Sequence, residues 1–185
     1  NQTSWAYDRP LTDWPTVVFF RDNLFVNART GGTGNHFAMG NEITVPATNW
    51  PATASNYNVL ITANANTVGN WGTSTQTIAQ WRTSSGGDKL TWCTTVSSIN
   101  PSNLFTSIST GDLSINSGNS EAWIVSGKGL AISGQATDYD GNTRSISIAG
   151  GCTDIGADEF AATPPNCPVV SVDYSPGSGV TSTYT

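Results

Sequence analysis

The chain has 185 residues, of which 37% are hydrophobic and only 11% are charged, and its formal net charge is −6. This length and composition predict one principal folded domain with a packed core, and they exclude an intrinsically disordered chain. The acidic balance disfavours contact with phosphate backbones, so no nucleic-acid partner is expected, and no apolar run approaches the roughly 18 residues of a membrane span.

Short strand-like segments recur along the chain, separated by Gly, Asn, Ser and Pro, and helical periodicity is nearly missing. The first clear one, residues 24–26, is flanked by Asn23 and Asn27, and asparagine tolerates left-handed backbone and can stack its amide along successive coils. Residues 59–66 alternate in the period-2 pattern of a strand with one buried face. Strands this short bury a face by stacking, as in a solenoid, although the irregular spacing also fits a β-sandwich.

Seven tryptophans are too many for a small core to hide completely. Trp50 lies between Asn49 and Pro51, and Trp71 lies between Asn70 and Gly72, so both are expected on loops. Exposed aromatic rings beside polar amides hold sugars through stacking and hydrogen bonds. The sequence therefore makes Trp50 and Trp71 candidate glycan-stacking residues, and the alternative is that such rings pad the ends of the core.

No catalytic set is recognisable in the chain. Its two lysines and five arginines are scattered, and no carboxylate pair with a basic neighbour precedes residue 138. The sole histidine, His36, lies in a Gly-rich stretch that lacks GK[ST], and no GxSxG occurs. We therefore predict an ordinary loop histidine, no catalytic residue and no organic cofactor.

Two sequence motifs near the end of the chain resemble those of a known group of proteins. Thr137–Arg144 reads TDYDGNTR, and Cys152–Phe160 reads CTDIGADEF. This order, TDxDGxxR followed by DIGAxEF, resembles the C-terminal end of right-handed parallel β-helix proteins, pectate-lyase-like in fold, that bacteria secrete or display. Ser97–Phe105, Gly111–Ile115 and Gly129–Gly134 look like the last coils of the same family, although the third phrase lacks the family's proline and aspartate.

The resemblance implies an all-β fold, with residues 1–160 as the terminal coils of a right-handed parallel β-helix. The proline-rich composition after Phe160 predicts that residues 161–185 are a linker or the start of a next module. A β-sandwich remains the alternative fold.

By the same resemblance the chain is expected to be an extracellular, structural or adhesive segment of a bacterial surface or secreted protein. Its expected partners are surface glycans, other surface proteins or neighbouring modules of the same chain. One alternative is the C-terminal part of a β-helix polysaccharide lyase or glycoside hydrolase, and another is a β-sandwich carbohydrate-binding or fibre module.

Asp138, Asp140 and Asn142 place oxygen atoms at alternate positions, which is typical of Ca²⁺ ligands. An EF-hand is excluded, because Gly141 stands fourth instead of sixth in the loop and the twelfth position lacks a glutamate. A Ca²⁺ site of another geometry is one hypothesis. The other is a tight turn in which Asp and Asn cap backbone amides, Gly141 takes a positive φ and Arg144 pairs with a carboxylate.

The three cysteines show no CxxC spacing, so a structural zinc site is not expected. A disulfide between Cys152 and Cys167 would tie the tail back onto the last strand. Three free buried thiols are the alternative.

Overall fold

The computed structural model describes residues 2–10, 18–43, 50, 54–144 and 152–161. These residues are mostly β-structure, arranged in several small sheets, and none of their helices is long and apolar enough to cross a membrane. The strands are β1 (Ser4–Arg9), β2 (Phe20–Arg21), β3 (Leu24–Asn27), β4 (His36–Asn41), β5 (Ser55–Asn56), β6 (Val59–Thr62), β7 (Gly69–Trp71), β8 (Ser74–Gln76), β9 (Trp92–Thr95), β10 (Phe105–Ser107) and β11 (Asp112–Ile115). The helices are α1 (Ile78–Ser85), α2 (Pro101–Leu104) and a 3₁₀ helix (Ser120–Ile124).

Three sets of strands pair in parallel between residues 4 and 95. β4 lies between β1 and β7, β2 pairs with β5, and β6 lies between β3 and β9. In the third set, Leu24 pairs with Val59, and Val59 pairs with Trp92. The chain therefore returns to the same sheets in the same direction, which requires a long connection between paired strands.

An apolar cluster lies between these sheets. Its buried residues come from β2, β4, β6, α1 and the intervening segments: Phe20, Ala38, Met39, Trp50, Ala54, Leu60, Val68 and Trp81. Phe25 of β3 and Cys93 of β9 pack against it, and both stand in register with Leu60 of β6. One face of the third parallel set thus lines this first cluster.

The opposite face of the same sheet lines a second cluster. Val59 and Ile61 are fully buried there with residues from the later part of the chain: Ile99, Leu104, Phe105, Ile124, Val125 and Ile155. Every residue of β6 is therefore buried. The prediction of one buried face was wrong for this strand, because the first cluster also covers the Leu60 face, which the alternation assigned to solvent.

The described residues after β9 do not extend the parallel ladders. Two of the phrases that resemble coils, ending at Phe105 and Ile115, instead supply β10 and β11, which pair antiparallel. The closing segment returns to the first strands, since the Gly156 amide donates to the Asp22 carbonyl at 2.8 Å. Of the predicted linker, only Ala161 lies among the described residues.

Two asparagines stack where the chain passes from β2 to β3 and from β5 to β6. Asp22 and Tyr57 take φ values of 58° and 57°, and each precedes an asparagine. The Asn58 Oδ1 accepts from the Asn23 backbone amide at 3.0 Å and from its Nδ2 at 3.4 Å. The Asn23 amide thus stacks on Asn58 as expected. The residue with left-handed backbone is Asp22, which precedes Asn23.

Helix α1 was not predicted. Thr77 and Gln80 form a capping box at its start, and Gly86 ends it with a φ of 69°. This Thr-x-x-Gln spacing with a following glycine was the available signal. The apolar periodicity was too weak to reveal the helix, because only Trp81 and Ser85 are buried.

Candidate functional site

The closing phrase forms the tight turn that the sequence predicted. The Asn142 amide donates to Asp138 Oδ1 at 2.7 Å, and Gly141 takes a φ of 88°. Arg144 lies 3.7 Å from Glu159, and its guanidinium also donates to the carbonyl oxygens of Asp154 and Gly156. The turn and the Arg144 ion pair are confirmed.

The Asp138 carboxylate is held by hydrogen bonds from this turn and from the closing segment at Glu159. Its Oδ2 accepts from Asn142 Nδ2 at 3.0 Å and from the Glu159 amide at 2.7 Å. Burial acts to raise the pKa of Asp138, but the hydrogen bonds from Asn142 and Glu159 outweigh it and lower the pKa to about 2. Both oxygens therefore serve as acceptors for protein donors.

The proposed Ca²⁺ ligands do not converge on a further carboxylate. Asp140 and Asn142 are exposed, and within the described ranges no group of three or more His, Cys, Asp or Glu side chains has the arrangement of a metal site. Asp154, in the second closing motif, accepts the amides of Gly127 and Phe160. Asp158 accepts the Ile115 amide at 2.7 Å. The geometry favours the turn, and the Ca²⁺ site stays a prediction.

The remaining predicted groups are dispersed. Cys152 is exposed, and its suggested partner Cys167 lies outside the described residues, so that disulfide stays a prediction. Cys93 is half-buried, and burial raises the pKa of its thiol to about 11, which makes it unreactive near neutral pH. His36 is not a loop residue, because it begins β4, is buried, and contacts the Ser4 hydroxyl and the Gly31 carbonyl.

Trp50 does not present a ring face to solvent. Its side chain is 3% exposed, and its ring packs against Phe20, Trp71 and Trp81 at centroid distances between 5.4 and 5.8 Å. The assignment of Trp50 to glycan stacking was wrong, because a ring enclosed by other rings offers no surface to a sugar. Trp71 is half-buried at the edge of the same group, where it contacts Trp50 and Trp81 edge-on.

Two other tryptophans are exposed instead. Trp92 and Trp123 are 46% and 39% exposed, and their rings lie 6.3 Å apart with an angle of 78° between the planes. The Lys128 ammonium lies over both rings, 4.9 Å from the Trp92 centroid and 3.8 Å from the Trp123 centroid. We call these three residues the tryptophan–lysine face.

The local fold explains why these rings point outward. Trp92 begins β9, where its backbone pairs with Val59 at the edge of the third parallel set. Trp123 lies in the 3₁₀ helix, which Asn119 caps and which buries the neighbouring Ala122 and Ile124. Burying those two positions leaves Trp123 on the opposite side. No sequence periodicity marks this pairing of residues 31 positions apart, so sequence reasoning missed it.

A cleft of about 550 Å³ adjoins this face. Trp92 and Lys128 belong to its lining, together with Tyr57, Ile78, Arg82, Lys89, Leu90, Thr91 and Cys93. Among the described residues no aspartate or glutamate lines it, and both lysines of the chain do. Burial lowers the pKa of Lys128 to about 8, so its ammonium is still largely charged at pH 7. This cleft is positively charged and partly aromatic on an acidic protein.

A second cleft, of about 620 Å³, lies beside the closing turn. Asp22, Asp138 and Asp158 line it, but each of these carboxylates accepts a backbone amide from the later part of the chain, at Leu130, Glu159 and Ile115 respectively. Asp138 and Asp158 therefore connect segments of the later part of the chain to one another. Asp22 connects that part of the chain to the turn between β2 and β3. The geometry gives them a structural role.

The tryptophan–lysine face and its adjoining cleft thus form the surface best suited to bind a ligand. Comparison with known proteins adds no assignment to this geometry: the chain matches no protein-family model, no curated protein and no solved structure.

Proposed function

We propose that the chain is an adhesive segment of a bacterial surface or secreted protein, built as the terminal coils of a right-handed parallel β-helix. On this proposal it binds carbohydrate through the tryptophan–lysine face. The exposure of Trp92 and Trp123 side by side is the observation that carries the binding function.

The parallel ladders support the coil architecture. β-Sandwich domains are built from antiparallel sheets, whereas β1–β4–β7, β2–β5 and β3–β6–β9 are parallel. The stacked Asn23 and Asn58 amides at equivalent turns also fit successive coils. The described residues between 96 and 161 then act as a closing segment against the outer face of one sheet.

The exposed rings support carbohydrate as the ligand. Two large aromatic faces at 78° form a corner, and a sugar ring packs its apolar C–H face against such a surface while its hydroxyls bond to polar neighbours. Lys89 and Lys128 supply donors along the adjoining cleft. Because the Lys128 ammonium already lies over both rings, the side chains are ordered before a ligand arrives.

Gel retardation tests this proposal. The protein is run through gels that contain neutral or acidic polysaccharides, together with Trp92→Ala, Trp123→Ala and the control Tyr139→Ala. Tyr139 is 87% exposed but lines the other cleft, so it is a matched exposed aromatic residue. At least one polysaccharide should retard the wild-type protein and the control, and each tryptophan variant should lose about 0.5–1.5 kcal/mol of binding free energy.

Two outcomes would contradict carbohydrate binding. One is that no polysaccharide in the panel retards the wild-type protein. The other is that the tryptophan variants, shown by circular dichroism to remain folded, bind as the wild type does.

A further inference from the structure

Several cationic side chains line the cleft beside the tryptophan–lysine face, although the protein contains few such residues. The chain contains seven lysines and arginines against thirteen aspartates and glutamates. Three of those seven, Arg82, Lys89 and Lys128, line this one cleft, and no acidic residue in the described part of the chain lines it. Because the net charge of −6 would repel anions over most of the surface, a local positive site of this kind indicates a specific ligand.

Two of the three cations are held in place. Arg82 donates from Nε to the Asp88 carbonyl and from Nη2 to the Thr91 carbonyl, both at 2.8 Å. Lys128 donates to the Trp123 carbonyl and lies over both tryptophan rings. Neither group has a carboxylate partner among these contacts, so no neighbouring anion there offsets its charge, and each has donors left over. A ligand anion would meet ordered charges, which lowers the entropic cost of binding.

Resting on the proposed carbohydrate binding, we propose that this cleft selects an anionic polysaccharide. A carboxylate or sulfate group of one sugar residue lies between Lys89, Lys128 and Arg82, while a neighbouring ring stacks on Trp92 and Trp123. The volume of about 550 Å³ is in the range of clefts that hold small ligands.

The charge distribution favours an anionic sugar over a neutral sugar and over a nucleic acid. A neutral sugar would displace water from the half-buried Lys128 ammonium without returning a charged partner, which is unfavourable. A nucleic acid offers anions and bases that stack, but it would extend over a surface whose net charge is −6. A single anionic sugar unit needs only the local charge of the cleft.

Three polymers with one backbone test the proposal: dextran, carboxymethyl-dextran and dextran sulfate. Affinities are measured by gel retardation or calorimetry for the wild type, Lys89→Gln, Lys128→Met and the control Arg29→Met. Arg29 is exposed and lies in a different cleft, so it removes one positive charge elsewhere. Lys89→Gln is the more conservative test, because Lys89 is exposed at the rim and its loss leaves the tryptophan rings in place.

Wild-type protein should bind at least one anionic dextran at least tenfold more tightly than dextran. Which anionic polymer binds more tightly identifies carboxylate or sulfate as the preferred group. Each lysine variant should weaken that binding about twofold to fivefold, as expected for a single partly exposed charge contact. Raising the salt concentration should weaken it further, and Arg29→Met should leave it unchanged.

Other results would overturn the selection of anions while leaving carbohydrate binding intact. Equal affinity for dextran and its anionic forms is one, and equal loss with Arg29→Met and Lys89→Gln is another. Tighter binding of an oligothymidylate than of either anionic dextran would assign the cleft to nucleic acid. Failure to bind all three dextrans and every polysaccharide of the wider panel would reject both proposals together.

Discussion

Aspartates in this protein act chiefly as acceptors for backbone amides. Asp22, Asp154 and Asp158 each accept an amide from a distant segment, and Asp138 accepts two. Their surroundings shift the pKa values in opposite directions. Burial raises the pKa of Asp22 and of Asp154, whereas the hydrogen bonds to Asp138 lower its pKa to about 2 against the effect of burial.

These directions give a prediction for Asp138→Asn. A carboxyl whose pKa is lowered on folding stabilises the native state above its ordinary value of 3.8 and loses that contribution as the pH falls toward 2. We expect Asp138→Asn to lower the free energy of unfolding at pH 6, and the difference from wild type to shrink between pH 4 and pH 2. Urea unfolding across this range measures it.

Asp140→Asn is the matched control, since Asp140 is exposed and lies in the same turn. A difference between wild type and Asp138→Asn that stays constant with pH would contradict the role given to the carboxylate. Repeating the measurement with Ca²⁺ and with a chelator also tests the metal hypothesis. A Ca²⁺-dependent stabilisation that both variants abolish would restore it.

Helix α1 owes its position to one buried side chain. Trp81 is fully buried, and its Nε1 donates to Asp88 Oδ2 at 2.7 Å. Asp88 is also fully buried and accepts from Ser55, Asn58 and Thr91 at its other oxygen. Gly69 of β7 lies directly against the Trp81 ring, and a side chain there would collide with it. One tryptophan thus links the helix, the first cluster and a buried polar network.

Replacing Trp81 by Phe tests this link. The change leaves one Asp88 oxygen without its donor and leaves a gap where the larger ring packed. We expect a loss of about 2–4 kcal/mol in the free energy of unfolding. Chemical denaturation measures it, with Trp92→Phe as a control that should cost about 0.5 kcal/mol or less because Trp92 is 46% exposed. Equal losses in the two variants would show that the buried network contributes nothing.

At the scale of the whole molecule, strand β6 joins the two apolar clusters. Leu60 belongs to the first cluster, and Val59 and Ile61 belong to the second. The first cluster and the described residues between Ile99 and Ile155 therefore pack against opposite faces of β6, which is buried throughout. Because neither cluster can be exposed without disturbing this strand, we expect the described parts to unfold together.

Ile61→Ala tests that coupling. Ile61 is fully buried, so truncation should lower the free energy of unfolding by about 2–5 kcal/mol. The intrinsic tryptophan fluorescence of the first cluster and far-ultraviolet circular dichroism should still report one transition. Ile108→Ala is the control, since Ile108 is 48% exposed. Two separated transitions in the variant would show that the clusters are independent.

Local chemistry made part of this protein predictable. The mostly β character follows from short β-branched segments and frequent turn residues, and the turn from Asp138 to Asn142 follows from Asx and glycine preferences. An ion pair between Arg144 and a carboxylate was also predicted, but only the structure identified Glu159 as the partner. The capping box of α1 was readable in the same way but was overlooked.

Long-range packing decided the rest. The sequence by itself determined the β class and the closing turn, since neighbouring residues set backbone preference. Only the tertiary structure decided that Trp50 is enclosed, that Trp92 and Trp123 share an exposed corner, and that both lysines line one cleft. The physical reason is that exposure depends on which distant segments cover a side chain. The described residues between Ile99 and Ile155 cover one face of β6 but leave Trp92, at the start of β9, exposed.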